Sequence, residues 1–198
     1  MARIAVSLLA LFLSVTYVFA GSVPVSPSPG GISAVAESKL QAICKKTHDT
    51  NSCIQLLTPA ITPTTDFDSL EWNRKVVSKA LSKSIIAKNF MTKHGRGLDA
   101  KHKIAVTNCV DKMDNSVELL QQVSHEYVEL YKSESSKGFL YGYHRKNVQT
   151  LMDTATADQE ACYTSLGGFQ EPVLKQMKDY AMSASFAIKI VSDLVLKK

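Results

Sequence analysis

Apolar and small side chains recur along this chain at steps of three and four, the period of one helical face, in four long stretches. The first runs from about 66 to 93 through Val77, Ala80, Leu81, Ser84, Ala87 and Met91, with Asp66 or Asp68 placed to cap it. Gly95 and Gly97 supply the permissive backbone of a helix end, and Lys93 and His94 suit the negative end of its dipole. The second stretch, from about 99 to 131, carries Val106, Cys109, Val110, Met113, Val117, Leu120, Tyr127 and Tyr131, while Lys112, Asp114, Glu118 and Gln121 point elsewhere. Residues 133–142 break the pattern. Val148, Leu151, Met152, Ala155, Gln159, Cys162 and Leu166 then restart it, and Gly167 and Gly168 end it. Glu171 and Pro172 open the last stretch, whose stripe is Val173, Met177, Ala181, Ala184, Ile188, Val191 and Val195. Nothing alternates as a strand does, so the chain is all-α. The short links force each helix back beside its predecessor, which predicts an antiparallel up-down-up-down four-helix bundle over 66–198.

What precedes the bundle reads as three pieces. Residues 1–20 combine an early Arg3, an apolar run from Ile4 to Phe19 and small residues before Gly21, the pattern of a signal peptide. A membrane anchor fits less well, because Ser7, Ser14 and Thr16 interrupt the run, and no later segment offers the ~20 apolar residues a span needs. Residues 21–31, rich in Pro, Ser and Gly, are expected to form a mobile arm. The remaining 32–198, roughly 165 residues, suit one domain with one core. Within it, 32–62 reads as a helical hairpin: Val35, Leu40 and Ile43 give one arm a face, and Ile54, Leu56 and Leu57 the other.

The four cysteines sharpen this picture. Cys44 and Cys53 flank KKTHDTNS, whose Asp49, Thr50, Asn51 and Ser52 favour a turn and an N-cap. Cys109 and Cys162 lie in the core-facing stripes of antiparallel neighbours, so their side chains can approach without breaking either helix. In an exported chain the expectation is two disulfides, since free thiols seldom persist there and zinc-type spacing is absent. The chain-entropy relation gives about 4 kcal/mol for the longer loop and about 2.7 kcal/mol for the shorter.

Charge and motif content narrow the function. The net charge is +5, Arg3 included, with acids and bases interspersed, which argues against a nucleic-acid partner. Lys45 with Lys46 and Lys197 with Lys198 read as solvated ends. The sequence contains no G-x-S-x-G, H-E-x-x-H or phosphate-loop motif, so an enzyme is not expected. His48, His94, His102, His125 and His144 lack ligand spacing, and neither a metal nor a cofactor is expected. No Asn-x-Ser/Thr glycosylation sequon occurs.

Three segments together, ICKKTHDTNSCIQLL in the hairpin, TNCVDKMDNSVELL on the second bundle helix and MDTATADQEACYTSL on the third, resemble the plant invertase and pectin methylesterase inhibitors. The resemblance runs from about Ser33 to the C-terminus. It implies an antiparallel four-helix bundle with a projecting hairpin, and the same two cysteine pairings. It further implies a secreted protein of the apoplast and cell wall, a monomer that binds a carbohydrate-active enzyme one to one, without covalent chemistry, and closes its cleft. Invertase inhibitors of the family carry a Pro-Lys-Phe motif between the second and third bundle helices, where this chain has SSKGFLYGYH. That favours pectin methylesterase as the target, with acid invertase as the alternative. ATADQEAC looks like the esterase-inhibitor pattern, although Ala161 stands where that branch usually has threonine.

The resemblance places the contact surface on the second and third bundle helices, at the positions expected to be exposed: Asp111, Asp114, Asn115, Thr154, Asp158 and Glu160. If these carboxylates meet acids on the target, the complex weakens as pH rises. Trp72 is expected to close the core beneath the hairpin. Phe139, Tyr141 and Tyr143 form an aromatic cluster in what reads as a loop, suited to recognition or to capping the bundle. A second function class, a carrier of an apolar ligand lined by Met91, Met113, Met152 and Met177, predicts a continuous apolar cavity.

Overall fold

Four of the helices begin where a side chain accepts a backbone N–H: Ser33, Asp49, Ser69 and Asp99. The computed structural model describes residues 33–135 and 137–196, so the expected leader over 1–20 and arm over 21–31 lie outside the described residues, as do Lys197 and Lys198. Helix α1 (Ala34–Cys44) starts at Ser33, whose hydroxyl accepts the Ala36 N–H. Helix α2 (Thr50–Leu57) starts at Asp49, which accepts the Ser52 N–H at 3.0 Å, and a single 3₁₀ turn (Thr58–Ala60) follows it. The bundle is α3 (Leu70–His94), α4 (Ala100–Ser133), α5 (Phe139–Ser165) and α6 (Pro172–Leu196). Among the described residues there is no strand.

Two expected boundaries move. Helix α3 is capped by Ser69, which accepts the Trp72 N–H, while Asp66 instead accepts the N–H of Asp68 in the preceding turn. Helix α5 begins at Phe139, inside the stretch expected to be a loop, and runs through Gly142. Gly95 also has a different reason to be glycine: its φ of −70° is right-handed, but an added Cβ would stand 2.8 Å from Val106 Cγ1. It is the close approach of α4, not a left-handed turn, that excludes a side chain there.

In the bundle α3 packs on α4 and α6, and α5 packs on the same two, so the helices form a square with antiparallel neighbours. The Arg145 guanidinium at the start of α5 donates to the Leu196 carbonyl at 2.6 Å, closing the last turn of α6 from its neighbour.

The interior divides into two apolar clusters. At the hairpin end Leu40, Leu57, Trp72, Val76, Leu120, Met152 and Ile188 pack together, and at the far end Met91, Val106, Met113, Leu166, Leu174 and Met177 do. Ser84, Ser116 and Gln159 separate them as a buried polar layer. The Gln159 amide donates to Ser84 Oγ at 2.6 Å and to Ser116 Oγ at 2.8 Å, tying α3, α4 and α5 at one level. Each serine hydroxyl in turn donates to a backbone carbonyl, Ser84 to Ala80 and Ser116 to Ala155. Sliding any of the three helices by a turn would strand these polar groups among apolar ones, so the layer specifies register.

Trp72, 3% exposed, stands edge-on to Phe67 with ring centroids 4.8 Å apart and closes the core under the hairpin. The methionines read as a carrier lining are fully buried packing: Met91 Sδ lies 3.3 Å from Cys109 Sγ. Two disulfides join Cys44 to Cys53 and Cys109 to Cys162, with Cα separations of 5.6 Å and 4.4 Å. The hairpin turn is also tied to α6, where Asp193 accepts from the His48 backbone N–H at 3.1 Å and contacts its ring nitrogen at 3.0 Å.

Candidate functional site

Helices α4 and α5 pack together along a long seam and carry all six candidate contact residues. Helix α4 is set by Asp99, whose carboxylate accepts the His102 N–H and is held below the usual aspartate range by that bond. One turn beyond the Cys109–Cys162 bridge, the Lys112 ammonium donates to Asp158 at 2.8 Å, and the Asn115 amide donates to the other oxygen of the same carboxylate. A turn further on, the Ser116 hydroxyl reaches the Ala155 carbonyl at 3.1 Å. The Asp158 hydrogen bond and charge raise the Lys112 pKa above the usual lysine range.

This geometry sorts the six candidates. Asp111 and Thr154 are exposed on the outer face, and Asn115 is exposed with its amide turned into the seam. Asp158, expected to be exposed, is 6% exposed and serves the helix pair instead of an open surface. Its place follows from the 3.6-residue period: Ala155, Asp158 and Cys162 line the same side of α5, the side that faces α4. Asp114 turns toward α3 and pairs with Lys88, whereas Glu160 turns toward α6 and pairs with Lys189. The structure thus brings Asn115 and Asp158 together, leaves Asp111 and Thr154 on the outer face, and sends Asp114 and Glu160 to opposite flanks.

Two features are absent from the sequence-derived set. Between α4 and α5 a cleft of about 510 Å³ is lined by Gln122, His125, Tyr143, Lys146, Asn147 and Thr150, among others. Phe139 and Tyr143, expected on a loop, stand on the first turns of α5, with near-parallel rings 6.4 Å apart. Their spacing of four residues is a helix signal that the Ser and Gly content of the preceding stretch obscured. On the opposite side a groove of about 490 Å³ runs between α3 and α6 under the hairpin, with Lys79, Lys83, Ile86 and Phe186 on its walls. Among the described residues no helix is long and apolar enough to cross a membrane.

Comparison with known proteins places this geometry. The family described as plant invertase/pectin methylesterase inhibitor matches residues 38–195. A curated relative, "Pectinesterase/pectinesterase inhibitor U1" of Solanum lycopersicum, is 27% identical over 146 residues, which cover 70% of this chain and 23% of that protein. This chain therefore spans about a quarter of the length of that relative. A crystal structure of a mutant form of an Arabidopsis pectin methylesterase inhibitor covers 78% of this chain and 95% of its own, at 14% identity and a TM-score of 0.53. A second, of a pectin methylesterase inhibitor from Arabidopsis thaliana, has the same coverage at 15% identity and a TM-score of 0.44. At these identities the first likeness speaks to the fold, a helical bundle, and the second is too loose to compare folds. With the family matched across most of its length, all four cysteines included, this chain belongs to the plant invertase/pectin methylesterase inhibitor family.

Proposed function

We propose that this chain is a secreted inhibitor of pectin methylesterase that works by occlusion in the cell wall. It binds the esterase one to one without a covalent bond and lies across the substrate cleft, so that pectin cannot reach the catalytic groups. The observation that carries this reading is the family match over 38–195, on a bundle whose α4–α5 seam is rigidly held by a disulfide, an ion pair and hydrogen bonds. A surface that must hold its shape against another protein gains affinity from such preorganisation. The link between α4 and α5, which lacks the proline of the Pro-Lys-Phe motif, supports esterase over invertase.

The outer α4–α5 face, with Asp111, Asn115 and Thr154, is the part of the candidate set that offers itself to a partner. Asp114, Asp158 and Glu160 each already face a lysine, so a loss of affinity at higher pH through acid–acid repulsion rests mainly on Asp111. Purified, oxidised protein assayed against plant pectin methylesterase and acid invertase tests the proposal. Esterase activity is expected to fall stoichiometrically, recover on dilution and leave the mass of both proteins unchanged, with invertase unaffected. No effect on the esterase would remove the reading.

A further inference from the structure

The aromatic pair at the start of α5 stands out from every other apolar surface of the described chain. Phe139 is 85% exposed and Tyr143 52%, and Leu140 beside them is exposed as well. Clustered apolar surface left in water marks a binding site more often than chance exposure does. The rings also stand in a defined arrangement. Phe139 and Tyr143 lie 21° from parallel, Tyr143 meets the His144 ring edge-on, and His144 Nδ1 contacts Glu126 at 2.7 Å. Next to this platform the cleft offers amides at Gln122 and Asn147, a hydroxyl at Thr150, the His125 ring and the Lys146 ammonium.

That combination has a specific chemistry. Flat aromatic faces stack against the C–H faces of pyranose rings, amides and hydroxyls meet sugar hydroxyls, and an ammonium meets a carboxylate. Glu126, the carboxylate in the cleft wall, is turned to His144 and Asn147 by hydrogen bonds, and Lys146 is the ammonium that lines the cleft. The volume of about 510 Å³ is within the roughly 300–1,000 Å³ usual for small-ligand sites.

We infer that the α4–α5 cleft and its Phe139–Tyr143 platform form a site for an acidic oligosaccharide, with sugar rings on the aromatic faces and a uronate carboxylate on Lys146. The choice of a uronate over another acidic sugar rests on the inhibitor reading, since a methylesterase acting on pectin leaves that carboxylate on the polymer. Such a site would hold the inhibitor where the product of its target accumulates.

Titration calorimetry of the intact oxidised protein tests this with three probes: a de-esterified galacturonic-acid oligomer, its fully methyl-esterified form and a neutral glucan oligomer. The acidic oligomer is expected to bind best, and esterification to weaken it by about tenfold. Lys146→Gln should erase the difference between the acidic and esterified forms. Phe139→Ala with Tyr143→Ala should weaken both by at least roughly tenfold. All three side chains are exposed, so an unchanged melting temperature shows that the fold is intact. No binding of the acidic oligomer, or binding indifferent to both variants, overturns the site. Esterase inhibition measured on the same preparation separates the two readings. Oligomer binding without inhibition keeps the site and removes the inhibitor reading. Inhibition that needs Phe139 and Tyr143, without oligomer binding, makes the platform a protein contact and removes the sugar site.

Discussion

The hairpin and the α4–α5 seam each carry one disulfide, but the bond does a different job in each. In the seam it joins helices of 34 and 27 residues whose contact is fixed again by Lys112, Asp158, Asn115 and Ser116 over the next two turns. In the hairpin it joins helices of 11 and 8 residues, lengths that hold little helix on their own in water. There Ala36, Leu40, Leu57 and the two sulfur-bearing side chains are buried in the core, with His48 and Asp193 tying the turn to α6. The bridge in the seam adds to a contact already determined several times over, while the bridge in the hairpin stands in for a core the segment is too small to build.

Removing the bridges one at a time tests that contrast. Cys109→Ser with Cys162→Ser is expected to have the larger effect on global stability, about 4 kcal/mol, because its loop spans 53 residues. That corresponds to a melting temperature lower by roughly 8–16 °C in a calorimetric scan. The seam is expected to stay native below the transition, with slow amide exchange in α4 and α5. Cys44→Ser with Cys53→Ser opens a bridge that closes a separation of only 9 residues and is expected to cost about 2.7 kcal/mol. Here the loss should be local, with amide exchange speeding up in α1 and α2 well below the melting transition. Exchange that accelerated equally in α4 and α5 would show that the hairpin and the bundle unfold as one unit.

The same contrast explains what could be read from the sequence. Long periodic stripes made α3 to α6 legible, and the cysteine positions on two of those stripes made the seam legible. The start of α5 was not, because Gly138, Gly142 and the serines before them signal a loop, while the helix there is held by neighbours such as Leu196, whose carbonyl binds Arg145. Helix N-caps were found to within a few residues: Asp66, Asp68 and Ser69 are all capping types, and only the turn geometry selects Ser69. Asp158, placed by the resemblance on an exposed contact surface, is buried because Lys112 and Asn115 meet its carboxylate across the seam. The cleft of Gln122, His125 and Lys146 with Tyr143 is not legible in the sequence, because it draws residues from two helices whose facing surfaces are set only by packing.

A smaller effect is expected from the polar layer that lies between the two halves. Gln159→Leu removes a buried amide but leaves Ser84 and Ser116 bonded to the Ala80 and Ala155 carbonyls. No partner is left unsatisfied by the change, so the cost is expected to stay within about 1 kcal/mol in denaturant unfolding. A loss of 3 kcal/mol or more would mean that the amide holds the seam and the hairpin end together, not merely in register.

The finest separation of the two regions comes from pH, because their key charges are shifted in opposite senses. Asp49, which caps α2 in the hairpin, is held below the usual aspartate range by the Ser52 N–H first and the Ser52 hydroxyl second. A depressed carboxylate contributes stability that is present above its unfolded value and is lost as pH falls through the folded one, so the hairpin weakens in acid. In the seam, Lys112 is raised by its hydrogen bond to Asp158, and a raised ammonium contributes below its unfolded value and loses that contribution as pH climbs through the folded one. The seam therefore weakens in alkali. Amide exchange followed region by region is expected to show α2 loosening below about pH 4 and the middle of α4 and α5 above about pH 10. Asp49→Asn, which keeps a capping oxygen, should flatten the acid limb and leave the alkaline one. Asp158→Asn should flatten the alkaline limb in α4 and α5 and leave α2 unchanged. If either variant changed amide exchange in the other region, the hairpin and the seam would be coupled and the contrast between them would fail.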